Sequence, residues 1–237
     1  MLKKTMSDEA YKQEYECDFN AAPSGKYYQR YVDDARREGR ICSVPYDPAV
    51  PVVVYWDLGF NDSTALWFIQ EVGREIHVIE YLEEHGKGLE YYVNEIHSRP
   101  YRYVAQKLPH DANHHELSTG RTRVDFLEEC GLENIEVSEK TSNVAEDIHA
   151  VRMILPKCWF DREKCAKGIL ALASYERKWD ARLQVYSEKP LHNWASHGAD
   201  SFRYFAVDYN PGFGSGRDMF RSEHYQNRQV DYDILSF

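Results

Sequence analysis

Three short acidic segments hold the residue types that could do chemistry: Val-Val-Val-Tyr-Trp-Asp-Leu-Gly ending just past Asp57, Leu-Pro-His-Asp-Ala around Asp111, and Ser-His-Gly-Ala-Asp ending at Asp200. In the first two an apolar run leads into the acid, which puts Asp57 and Asp111 at the exits of predicted strands, whereas Asp200 falls in a predicted helix. Carboxylates drawn from distant parts of a chain into one cleft cannot all stay ionised unless a cation joins them, and oxygen ligands suit a hard divalent metal. Two such ions together are an apparatus for hydrolysing a phosphodiester. Singly, each acid has an ordinary reading: Asp57 as a turn former, Asp111 as a loop or cap residue, Asp200 on a solvated helix face. Their joint order on two strand exits and a helix is what points to a site.

Other residues surround these three. Asp62 follows Asn61 in a predicted hairpin turn, where it is good turn chemistry and also within range of a second metal. His197 lies one helical turn before Asp200 and is placed to orient that carboxylate, a water or a phosphate, or simply to pack. His110, His114 and His115 crowd Asp111, and histidine with aspartate suits zinc; Pro109 and Asn113 speak against the helix that an i, i+4 histidine pair needs. Arg121 and Arg123 follow the second acid, and Arg177, Lys178 and Arg182 interleave with Trp179, a pattern able to grip nucleic-acid phosphate and stack on bases, although solvated surface is its commoner meaning. No helix-turn-helix or zinc-finger pattern accompanies them.

The elements that must position these residues follow from periodicity. A continuous apolar run predicts a strand over 52–57, buried on both faces, and two more strands over 64–72 and 75–83 complete an antiparallel meander joined at Gly73-Arg74. Leu89, Tyr92, Val93 and Ile96 repeat at helical spacing, and the chain then enters a fourth strand over 103–108. Helices are expected at 121–130 and 144–155, with strands at 135–138 and 158–161, then a helix at 163–178 and an exposed hairpin or edge strand at 182–186. A last helix begins near Asn193 and holds Trp194, Phe202 and Phe205 on one side and His197, Asp200 and Tyr204 on another. Residues 1–50, with one helix at 27–38, read as a lead-in arm or linker, 51–209 as the domain, and 210–237 as a flexible tail.

Three antiparallel strands, a helix, a parallel strand, a helix and a further strand give the order of an α/β ribonuclease H-like core, a mixed central sheet flanked by helices. The crossover returns the fourth strand beside the first, so Asp57 and Asp111 should be neighbours, with the last helix bringing Asp200 over them.

With these segments in place the chain resembles the C-terminal nuclease domain of the large terminase subunit of tailed bacteriophages, over roughly residues 5–209. The resemblance lies in Tyr55-Trp56-Asp57-Leu58-Gly59-Phe60-Asn61-Asp62-Ser63-Thr64-Ala65, in Leu108-Pro109-His110-Asp111-Ala112, in His197-Gly198-Ala199-Asp200-Ser201-Phe202-Arg203-Tyr204, and in a lead-in from Ser7 to Phe19. It implies a metal-dependent endonuclease that cuts concatemeric viral DNA during packaging. Asp57, Asp111 and Asp200 would hold two Mg²⁺ or Mn²⁺ ions, and the products would carry 5′-phosphate and 3′-hydroxyl ends. The implied partners are double-stranded DNA, the ATPase motor, the small terminase subunit and the portal, in the host cytoplasm. The sequence departs from the family's full-length pattern in having no G-x-x-x-x-G-K-[ST] phosphate loop: Gly25-Lys26 is followed by Tyr27. Two other readings stand beside it, a junction resolvase or transposase-like nuclease of the same architecture, and a non-catalytic module docking on the portal or motor.

Composition narrows the classes further. The 237 residues are 43% hydrophobic, enough for one large core, and no stretch approaches the roughly 20 apolar residues that span a bilayer. The start lacks the apolar region of a signal peptide, so a soluble intracellular protein is expected. Five cysteines, Cys17, Cys42, Cys130, Cys158 and Cys165, include no C-x-x-C pair and read as reduced thiols. The net charge of -10 repels nucleic acid at long range, so DNA contact needs a local basic surface or a partner.

Overall fold

The computed structural model describes residues 25–59, 63–115, 120–141 and 143–209. Strand β2 (Val52–Asp57) buries its first five side chains, as an apolar run covered on both faces must. It pairs antiparallel with β3 (Ser63–Val72), which pairs antiparallel with β4 (Glu75–His85). Gly73, at φ 67°, takes the left-handed turn conformation between β3 and β4 that a side chain would resist. Helix α2 (Leu89–Ser98) then carries the chain back to β5 (Tyr103–Leu108), which runs parallel beside β2. Strand β6 (Ile135–Val137) pairs parallel with β5, while β7 (Cys158–Asp161) pairs parallel with β4 on the far side. Strand β1 (Ile41–Cys42) closes that edge, giving a seven-stranded mixed sheet in the order β1-β7-β4-β3-β2-β5-β6.

Helices cover both faces because successive strand side chains alternate between them. On one face Tyr55, Trp67 and Phe160 form a core with helices α1 (Gln29–Arg37), α4 (Val144–Ile154), α5 (Ala166–Ser174) and α6 (Ser196–Asp208). On the other, Val54, Trp56 and Phe68 pack with α2 and with α3 (Arg123–Glu129), whose start is fixed by reciprocal Thr122–Asp125 capping bonds. This is the ribonuclease H-like α/β arrangement expected from the element order. No helix among the described residues is long and apolar enough to cross a membrane.

Three expectations change. The lead-in arm of residues 1–50 is, from residue 25 on, part of the domain: Tyr27, Tyr28 and Val32 are buried in the core and β1 extends the sheet. Residues 1–24 and the tail 210–237 lie outside the described residues. The helix expected over 163–178 ends at Ser174, because Tyr175 leaves helical geometry to stack on Tyr28 with ring centroids 5.6 Å apart. Arg177 and Lys178 therefore belong to a strand, β8 (Arg177–Asp180), which forms a separate two-stranded hairpin with β9 (Val185–Pro190) and leaves Arg182 in its turn. The last helix starts at Ser196 rather than Asn193; the Asn193 side chain accepts from the Ala195 N–H in the turn before it. Trp194 precedes that helix and is 48% exposed, while Phe202 and Phe205 are fully buried.

Candidate active site

Strands β2 and β5 are parallel, so both deliver the chain to the same end of the sheet. Tyr55 is registered with Lys107, which sets Asp57 level with Pro109 and leaves Asp111 two residues beyond, in a 3-10 turn over His110–Asn113. The carboxyl ends of parallel strands are where open α/β sheets place their ligands.

Asp200 reaches the same end from above, because α6 lies across β2 and β3 and is fastened near both termini. At its start the Trp67 indole N–H donates to the Gly198 carbonyl at 2.8 Å. A side chain at Gly198 would come within 2.6 Å of the Tyr81 hydroxyl, so only glycine lets the helix settle here. At its far end Asp208 accepts from the Tyr55 hydroxyl at 2.8 Å and pairs with Lys107 at 3.2 Å.

Each of the three acids has its own basic neighbour. Asp57 Oδ2 lies 3.4 Å from His197 Nδ1, Asp111 Oδ2 is 3.4 Å from Arg123 Nη1, and Asp200 Oδ1 is 3.1 Å from Arg203 Nη1. The Tyr175 hydroxyl also donates to Asp200 Oδ1, at 3.1 Å. His197 thus sits against Asp57 and also exerts its charge on Asp200, the acid one helical turn along that its spacing suggested. Among the described residues, no three His, Cys, Asp or Glu side chains are grouped as a ready-made metal cage; contacts with His197, Arg123 and Arg203 hold the acids instead.

The acids nevertheless share one field. Burial raises the Asp57 carboxyl above its ordinary value against the opposing His197 bond and Arg203 charge, and Asp111 adds to the rise. Burial likewise pushes Asp200 up to about 6; Arg203 opposes this, while the charge on Asp57 reinforces it. The Tyr204 phenol is raised chiefly by burial and feels all three acids. Two carboxyls above their normal range beside a third, with oxygen donors only, form a donor set that fits a hard dication.

The remaining predicted site residues are placed as follows. Asp62 lies outside the described residues. His110 and His114 stand 6.3 Å apart edge to face, and His115 Nδ1 bonds to the Gly120 carbonyl at 3.0 Å. Arg121 is exposed and pairs with Glu129 at 2.6 Å. Arg177 is half-buried, its guanidinium 5.7 Å over the Tyr27 ring, whereas Lys178 and Arg182 are exposed. Trp179, 45% exposed, meets Tyr186 across the hairpin. Sequence reasoning missed Arg203, although its i, i+3 spacing from Asp200 was a usable signal. Tyr175 and Asp147 were also missed, and no local pattern could have linked them to Asp200.

The same architecture occurs in solved structures. Over 86% of the chain, the large terminase of a thermophilic bacteriophage superposes with a TM-score of 0.59 at 15% identity. The P22 large terminase nuclease domain matches 76% of the chain and 90% of its own length, with a TM-score of 0.56 at 14% identity. For the SPP1 large terminase nuclease domain with bound Mn, the match covers 65% of the chain and 84% of that domain, with a TM-score of 0.51 at 16% identity. The fold is that of a large-terminase nuclease domain. The chain spans about half the length of the thermophilic phage's terminase, 53% of it, but most of each isolated nuclease domain. No family model matches the chain, and no curated protein matches it in sequence.

Proposed function

We propose that the chain is a metal-dependent DNA endonuclease that cuts concatemeric viral genome DNA during packaging. The observation that supports this most is that Asp111 and Asp200 both couple electrostatically to Asp57 at one end of the sheet, in a fold like that of terminase nuclease domains. Asp57, Asp111 and Asp200 would hold two Mg²⁺ or Mn²⁺ ions, and the likeness to the Mn-bound SPP1 domain favours that class of metal. Bound there, the ions would supply a water nucleophile at neutral pH and charge stabilisation for the departing 3′ oxygen. His197 keeps the Asp57 carboxylate aimed, as a ring N–H on a ligating acid does. Lys178, Arg182 and the exposed Trp179 face of the β8–β9 hairpin would meet the DNA backbone and bases, giving the acidic protein a local basic grip. The motor, the small subunit and the portal in the host cytoplasm are the partners this role requires.

The test is incubation of supercoiled plasmid with the 237-residue chain and Mn²⁺, Mg²⁺, Zn²⁺ or EDTA, beside Asp57→Ala. Nicking and linearisation with Mn²⁺ or Mg²⁺, lost in EDTA and in the variant, is expected. DNA binding without cutting under every condition would refute the proposal, and cutting with Zn²⁺ alone would move the site to the histidines around Asp111.

A further inference from the structure

Arg203 sits between two acids, and its bonding is unequal. Its Nη1 lies 3.1 Å from Asp200 Oδ1 and donates to the Tyr175 hydroxyl at 3.3 Å. Its Nε is 3.8 Å from Asp147 Oδ2, too far for a hydrogen bond, and is buried with no hydrogen-bond partner. Asp147, on α4, is itself buried and accepts at Oδ2 from the Thr141 hydroxyl at 2.7 Å, the one donor to that oxygen among the described residues. A buried N–H left unbonded beside a buried carboxylate is costly, and a small shift of the guanidinium toward Asp147 would cure it. The same shift would draw the positive charge off Asp200.

We propose that Arg203 is a resident counter-cation with two seats: it neutralises Asp200 in the metal-free protein and moves onto Asp147 when a dication takes Asp200. Arg203 is thus a positioning residue that acts through Asp200, and Asp147 is its reserve partner. The planar guanidinium suits this exchange, because one edge can keep the Tyr175 hydroxyl while the other closes on a new carboxylate. The inference rests on the metal-binding reading given above.

Calorimetric titration of the full chain with Mn²⁺ tests it without reference to cleavage. Removing a competing cation should tighten binding, so Arg203→Gln is expected to bind Mn²⁺ about tenfold more tightly than the wild type, within the usual range of couplings between neighbouring sites. The same variant should melt at a lower temperature in EDTA, having lost the charge that offsets Asp200. Asp147→Asn removes the reserve seat and is expected to weaken Mn²⁺ binding several-fold, an effect that should vanish when combined with Arg203→Gln. Unchanged or weaker binding by Arg203→Gln would show that the arginine merely shapes Asp200 and would overturn the proposal. If that variant does not fold, Asp147→Asn decides, and wild-type affinity there overturns it. A wild-type chain that takes up no Mn²⁺ overturns the metal reading and this inference together, whereas normal wild-type binding with unresponsive variants overturns this inference alone.

Discussion

Replacing Asp200 by Asn should make the metal-free protein more stable while destroying its metal-dependent chemistry. The Asp200 carboxyl is lifted from its ordinary 3.8 to about 6, with burial as the leading cause, so between those values the native state binds more protons than the unfolded chain. Stability contributed by this proton is full below 3.8 and is lost as the pH rises through about 6. At about 1.4 kcal/mol per unit of pKa, the ionised acid disfavours the fold by up to about 3 kcal/mol at pH 8. The side chain keeps 28% exposure, so solvent screening trims this to about 1–3 kcal/mol. For a domain of this size that is a rise in Tm of roughly 2–10 °C for Asp200→Asn in EDTA at pH 8. The gain should shrink steadily on going to pH 4, where Asp200 is protonated in the folded state and only partly ionised in the unfolded chain. Differential scanning calorimetry over that range, with a plasmid assay in Mn²⁺ alongside, measures both halves. A variant less stable than wild type at pH 8 would refute the reasoning, since it would show that the pairing of Asp200 with Arg203 outweighs the burial of its charge.

Gly198→Ala forces a methyl against the Tyr81 hydroxyl and the Ala171 side chain; the overpacking should cost about 1–3 kcal/mol, read as a lower Tm, and should reduce cleavage by displacing His197 and Asp200. Glu71, on β3, has a buried Oε1 without a hydrogen-bond partner and is pushed up to about 7, by burial first and by Asp208 next. Because that raised pKa makes stability fall as the pH climbs from 4.5 to about 7, Glu71→Gln should, after solvent screening of this part-exposed group, stabilise the protein by about 1–2 kcal/mol at pH 8 and by much less at pH 5, as chemical denaturation at the two values would show. Reversing charge at Lys178 and Arg182 should weaken DNA binding and flatten its dependence on salt by about 0.9 in log–log slope per lost phosphate contact, with Tm nearly unchanged because both side chains are exposed.

Much of the sheet was legible because its central strands are apolar on both faces: the bounds of β2, β5 and β7 follow directly from the runs ending at Asp57, Leu108 and Asp161. The lead-in was misread because β1 is two residues long and half-buried; it is a strand only by virtue of β7 beside it. The end of α5 was misread because Tyr175 answers to a ring stack and to Asp200, both distant in the chain, and tertiary contacts override local helix preference. Of the candidate site, the acids stood out by type and position. Their basic partners were only half visible: Arg203 by spacing, His197 by its place one turn before Asp200 but not its contact with Asp57, and Arg123 by its basic type but not its pairing with Asp111.

The pairing of β1 with β7 fixes where this protein can be trimmed. A shortened version starting at residue 51 would strip the backbone partners of Phe160 and Arg162, which donate to the carbonyls of Arg40 and Cys42. It would also uncover the aromatic surface beneath Tyr27 and Tyr28, leaving a bare strand edge beside exposed rings, a combination that invites self-association. A shortened version that keeps this edge and these rings covered therefore begins at or before Gly25, whose carbonyl accepts from the Arg177 N–H.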